Sequence, residues 1–145
     1  MKKTVLFSLL VTLLVFSLIG CATQTDIENN SIREVAVSIP RSDGVYYSKY
    51  SNYTYYIRFY DDGIVITTSS TGTISQIKNW FNKDHDDISI GKFNIIDDKI
   101  SFSSTSSFGT IDYNGQILHN KLLLNSYSHI NGNKRNNIEY LFSTW

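Results

Sequence analysis

The run Y-T-Y-Y-I-R-F-Y-D-D-G-I-V-I-T-T-S at residues 53–69 constrains this chain more than any other stretch. Two segments rich in Tyr, Ile, Phe, Val and Thr flank Asp61, Asp62 and Gly63. Asp-Gly between such segments is a strong short-range signal for a β-hairpin. A two-residue loop at Asp62-Gly63 sets Phe59 opposite Ile66 and Asp61 opposite Ile64. That register puts Tyr55, Ile57, Phe59, Ile64 and Ile66 on one face, with Tyr56, Arg58, Tyr60 and Val65 on the other. A one-residue slip pairs Arg58 with Ile66 instead. The first register separates charge from apolar side chains better and is the one expected.

The rest of the chain adds short strands to this hairpin. Residues 44–50 form one strand, and Ser51-Asn52 breaks it. Residues 72–82 change period: Thr73 and Gln76 fit a capping box, and Ile74, Ile77 and Phe81 recur at helical spacing beside Trp80. So short a helix must dock, and Ile77, Trp80 and Phe81 are expected to plug one end of the sheet structure. Period two returns with strands at 91–96, 99–104 (Ile100 and Phe102 inward) and 108–113. Asn114-Gly115 reads as either a turn or a bulge, the bulge preferred because Gln116-Ile117-Leu118 resumes at once. Further strands follow at 121–127 and 138–142, and residues 33–39 alternate as a possible short edge strand before Pro40. Ten Tyr, eight Phe and a single Pro suit pleated surfaces. Eight or nine short strands predict an all-β fold, an antiparallel meander closed into a small barrel with one short helix near 74–82.

The N-terminus carries an address. Lys2 and Lys3 precede an apolar run over residues 5–19, too short for a comfortable membrane span and typical of a secretory signal peptide. Leu18-Ile19-Gly20-Cys21 resembles the lipobox of bacterial lipoproteins. The resemblance implies diacylglycerol transfer to the Cys21 thiol and cleavage before it, with anchoring in the cell membrane or outer membrane and the domain facing the periplasm or the exterior. Cys21 is the only cysteine, so the exported domain is built without an internal disulfide. Cleavage leaves 11 basic against 13 acidic side chains, a balance that does not point to nucleic acid. The expected organisation is a signal peptide at 1–20, a polar tether at 21–43 and a β-barrel domain at 44–145.

From Gly44 onward the hairpin rhythm, G-K-F-N-I-I-D-D-K-I-S-F-S through T-I-D-Y-N-G-Q-I-L-H-N-K-L-L-L to I-E-Y-L-F, resembles small lipocalin-like bacterial lipoproteins. That family commonly opens its first strand with Gly-x-Trp. Gly44-Val45-Tyr46 is the nearest match, with Tyr in place of Trp. The resemblance implies a binding barrel, hollow or filled by its own side chains.

No motif for an enzyme, a metal site or a cofactor emerges. Asp84, His85, Asp86 and Asp87 form the densest cluster of ligating side chains, but adjacent residues rarely converge on one ion, and the cluster reads as a solvated loop. Ser101, Ser103, Ser104, Ser106 and Ser107 crowd around a strand end, but with Asp112, His119 and His129 they lack any nucleophile-elbow context. Tyr46, Tyr47, Tyr50, Tyr56 and Tyr60 are the candidate surface for a glycan or protein partner, although cross-strand aromatic pairing explains such a concentration as well. Two functions are therefore expected. One is a non-enzymatic, membrane-anchored domain that binds a small apolar molecule or a glycan. The other is an envelope interaction module, an inhibitor or assembly factor, working through the Tyr-rich surface.

Overall fold

A computed structural model of the chain describes residues 38–145. The expected signal peptide at 1–20, Cys21 and the expected tether as far as residue 37 lie outside the described residues. Eight antiparallel strands, each bonded to the next in sequence, make a closed barrel: β1 (Gly44–Tyr50), β2 (Tyr53–Phe59), β3 (Ile64–Ser70), β4 (Ser89–Ile96), β5 (Lys99–Ser106), β6 (Gly109–Leu118), β7 (Lys121–Ser128) and β8 (Lys134–Thr144). β8 returns to β1 through pairs running from Gly44–Thr144 to Tyr47–Leu141. All strand pairings and both apolar clusters of the described chain fall within residues 44–145.

The opening hairpin adopts the register that charge segregation disfavours. Arg58 pairs with Ile66 and Phe59 with Val65. The Tyr60 N–H donates to the Ile64 carbonyl (2.9 Å), the Gly63 N–H donates to the Tyr60 carbonyl (3.1 Å), and Gly63 sits at φ 81°. The loop thus has three residues ending in a left-handed glycine, the bulged alternative to a two-residue turn. The extra residue turns β3 over. Val65 enters the barrel, while Ile64 and Ile66 point outward.

Outward does not mean solvated. Inside, Tyr46, Ile57, Phe59, Val65, Ile100, Phe102, Tyr113, Ile117, Leu122, Leu124 and Tyr140 form the core. Outside, a second cluster of Val45, Tyr56, Ile66, Ile77 and Phe81 is covered by the chain between β3 and β4. That chain carries α1 (Ile74–Ile77) and a 3-10 turn (Lys78–Trp80). The Thr73 N–H donates to Gln76 Oε1 at 2.8 Å, the capping-box contact that the spacing predicts. The helix therefore lies against the outer wall and does not plug an end. Ile77 and Phe81 are buried there, but Trp80 is half exposed. Tyr56 and Tyr60 fasten this segment by donating to the carbonyls of Gly72 and Phe81, both at 2.7 Å. Arg58 is trapped under it, its guanidinium on the rings of Tyr60 (4.6 Å) and Trp145 (5.0 Å). An outer face that is itself covered can hold both Ile66 and Arg58.

Two further expectations change. β6 runs through Asn114 and Gly115 without a bulge, in register with both neighbours. Gly115 is there because a Cβ would run into the Leu123 carbonyl oxygen of β7. The irregularity lies instead between Leu124 and Ser126 on β7, opposite Asn137 of β8 at φ 53°. The end of the expected tether, residues 38–43, is packed against the barrel. Pro40 is buried, the Arg41 N–H donates to the Tyr46 hydroxyl (2.9 Å), and the Arg41 guanidinium lies 4.0 Å from the centre of the Phe142 ring. This lead-in touches the lower end of the barrel through Tyr46 and Phe142.

Candidate functional site: the upper mouth of the barrel

The interior divides into two halves. Below, Phe59 meets Tyr46, Phe93 and Phe102 edge-on at 5.7, 5.1 and 5.6 Å between ring centres, and the space is filled. Above, a cavity of about 450 Å³ is lined by inward residues of several strands, among them Tyr55, Ile57, Thr67, Ile111, Tyr113 and Tyr140. That volume falls within the range of small-molecule sites. The taper follows from residue size: aromatic rings fill the lower layers, while Thr67, Ser69, Ser89 and Ser106 offer short side chains above.

Some of the wall's hydroxyls are paired. Thr67 Oγ1 and Ser104 Oγ are 2.8 Å apart, and Ser89 donates to Ser104 at 3.1 Å. Ser104 is fully buried, so this hydroxyl chain satisfies itself. The Tyr53 and Tyr55 hydroxyls meet at 3.1 Å. Burial pushes the Tyr55 phenol up to about 12, with the Tyr53 hydrogen bond adding to the shift. Burial also raises Tyr113 and Tyr140. These phenols are neutral donors at physiological pH.

The rim is apolar. Trp80, Phe108 and Ile130 line the cavity and are exposed, and Tyr50 and Tyr127 lie at the same end. The opening extends down one side, because β4 begins only at Ser89, opposite Thr67. Thr68, Ser69 and Ser70 of β3 pass beyond that pairing. His85, Asp87 and Ile88 border this side.

The five candidate tyrosines scatter. Tyr46 is buried inside the barrel and Tyr56 beneath the helix, so neither presents a surface. Tyr60 holds the end of the 3-10 segment, and Tyr47 borders a shallow groove with Ile74 and Trp145. Only Tyr50 offers an open ring, at the mouth. Alternation along β1 and β2 sends their tyrosines to opposite faces, and the outer face is occupied by the helix. Sequence reasoning missed Tyr55, Tyr113, Tyr140 and Trp80 as lining residues. The inward parity of Tyr55 was readable, but the depth at which packing stops was not.

Ser103, Asp112 and His129 do come together, on the outer surface. Ser103 donates to Asp112 Oδ1 and His129 Nε2 meets Asp112 Oδ2, each at 2.6 Å. These hydrogen bonds, Ser103 first, hold the Asp112 carboxyl below the usual carboxylate range. The carboxylate is in the middle, so the hydroxyl bonds to Asp112 and the imidazole does not serve it as a base. Among the described residues, no three His, Cys, Asp or Glu side chains converge on a point that could hold a metal ion, and Asp84, His85, Asp86 and Asp87 are exposed.

No protein-family model matches the chain, and neither does a curated protein or a solved structure.

Proposed function

We propose that this protein is a lipid-anchored envelope protein whose lipocalin-like barrel binds a small, largely apolar molecule in its upper cavity. The observation that carries the reading is the cavity itself, about 450 Å³ bordered by Ile57, Ile111, Phe108, Ile130 and aromatic rings. A glycan fits it less well. Sugars need many unpaired donors and acceptors along their length, whereas Thr67 and Ser89 of the wall already bond to Ser104 and the deeper wall at Ile57 and Ile111 is apolar. Binding without catalysis agrees with a Ser103–Asp112–His129 cluster that leaves its serine without a base. The anchor rests on Leu18-Ile19-Gly20-Cys21 and places the barrel at a membrane surface, where apolar small molecules concentrate. The interaction-module reading draws its support from the exposed rim of Trp80, Phe108 and Ile130, since Tyr46 and Tyr56 are buried.

The test uses residues 21–145 carrying Cys21→Ser and the neutral fluorophore N-phenylnaphthylamine. Saturable one-to-one binding is expected, together with its loss in Ile111→Trp, whose indole fills the cavity while circular dichroism stays unchanged. Non-saturable binding, or binding indifferent to Ile111→Trp, would refute the reading.

A further inference from the structure

The irregularity between β7 and β8 has a chemical result. Ile138, Tyr140 and Phe142 face the interior, so simple alternation would send residue 136 inward and Arg135 out. Asn137 instead adopts φ 53°, its N–H donates to Asn125 Oδ1 at 2.9 Å, and Arg135 comes to pair with Ser126. The extra residue turns Arg135 over, as bulges do. Its guanidinium lies 4.1 Å from the centre of the Tyr55 ring and 5.1 Å from that of Tyr50. Tyr55 lines the cavity. Among the described residues, no carboxylate forms an ion pair with Arg135. The chain has thus brought a cation into an aromatic mouth without supplying its counter-charge. Asp87, the acidic residue of the cavity border, belongs to the segment between β3 and β4, whereas Arg135 sits against β1 and β2.

We propose that the occupant of the cavity is an anionic amphiphile, its acidic head held by Arg135 beside Tyr55 and its apolar portion lying against Ile57, Ile111 and Tyr113. This rests on the cavity being a binding site. The head is a carboxylate or a phosphate, since a guanidinium fork matches either. Burial keeps Tyr55 and Tyr140 protonated, so their hydroxyls are donors suited to an anion. The apolar rim of Phe108 and Ile130 suits the tail of an amphiphile better than the body of a polar metabolite.

The test is displacement of N-phenylnaphthylamine from the same protein by dodecanoate, dodecyl phosphate and dodecanol, each below its micellar concentration. At least one anion is expected to displace the dye about tenfold more strongly than the alcohol, the effect of one charge-assisted contact. The stronger anion identifies the head group. Arg135→Met removes that advantage and leaves dodecanol within about twofold, because the alcohol's displacement rests on apolar burial. Should Arg135→Met fail to fold, added salt on the unmodified sequence must weaken the anion's advantage without weakening dodecanol. Equal displacement by anion and alcohol, or equal losses for all three in Arg135→Met, overturns the proposal. Failure of the dye to bind refutes the cavity reading instead, so the two failures are distinguishable.

Discussion

Replacing Phe59 by alanine removes the centre of the lower core. The ring is 1% exposed and lies edge-on to three others, those of Tyr46, Phe93 and Phe102. Burial and cavity terms for such a Phe→Ala change come to about 3–5 kcal/mol. Each edge-to-face pair adds about 0.5–1.5 kcal/mol beyond area, which puts Phe59→Ala near the upper end of that range. A domain of this size loses about 4–8 °C of melting temperature per kcal/mol, so a fall of about 15 °C or more is expected. Phe108→Ala is the control. The same atoms are deleted, but the ring is 79% exposed, and its cost should stay within about 0.5 kcal/mol. Urea unfolding followed by Trp fluorescence gives both free energies at unchanged m-value. A loss below about 1 kcal/mol for Phe59→Ala would refute the filled lower half, because typical single substitutions already reach that figure. An equal loss for Phe108→Ala would refute the division of the interior.

Three other outcomes are expected. Gly115→Ala forces a methyl group onto the Leu123 carbonyl and should destabilise the barrel by about 1–3 kcal/mol, read as a lower urea midpoint. Alkali should unfold the protein through its interior phenols. The Tyr55 phenol is raised from 10.0 to about 12 in the folded state, so its contribution is complete below pH 10 and is lost as pH rises toward 12. Melting temperatures followed through that window should fall, and Tyr55→Phe should lessen the slope. Mass spectrometry of the mature N-terminus should find an acylated Cys21, and an unmodified thiol would end the lipoprotein reading.

The strands were legible because period two and turn residues are local. Gly44–Tyr50 and Ile64–Ser70 lie where alternation places them, and α1 begins at its capping box. The pairing between β2 and β3 was not, for a physical reason. Asp-Gly closes either a two-residue loop or a three-residue loop with a bulged glycine. Hydrophobic pattern decides between them only when one face of the strand is wet. Ile64-Val65-Ile66 is apolar on both sides, and Ile66 and Val65 are both fully buried, one under the helix and one in the barrel. Arg58 misled in the same way, since its guanidinium lies against Tyr60 and Trp145 and is partly covered. The cavity was hidden because it depends on where filling stops across six strands. Arg135 was hidden because its direction hangs on the backbone of Asn137 alone.

Closure of the sheet rests on residues a hundred positions apart. Gly44 through Tyr47 meet Leu141 through Thr144 in four pairs, the last to become available as the chain is made. Until they form, β1 and β8 are both open edges, each able to template a strand from another molecule. Under the proposed lipid anchoring, neighbouring chains would meet in two dimensions at high local concentration, and an open seam would then favour exchange of the final strand between them. The N-terminal lead-in counters this locally. Arg41 binds Tyr46 on one side of the seam and Phe142 on the other, and so acts as a latch supplied from the segment that precedes the first strand.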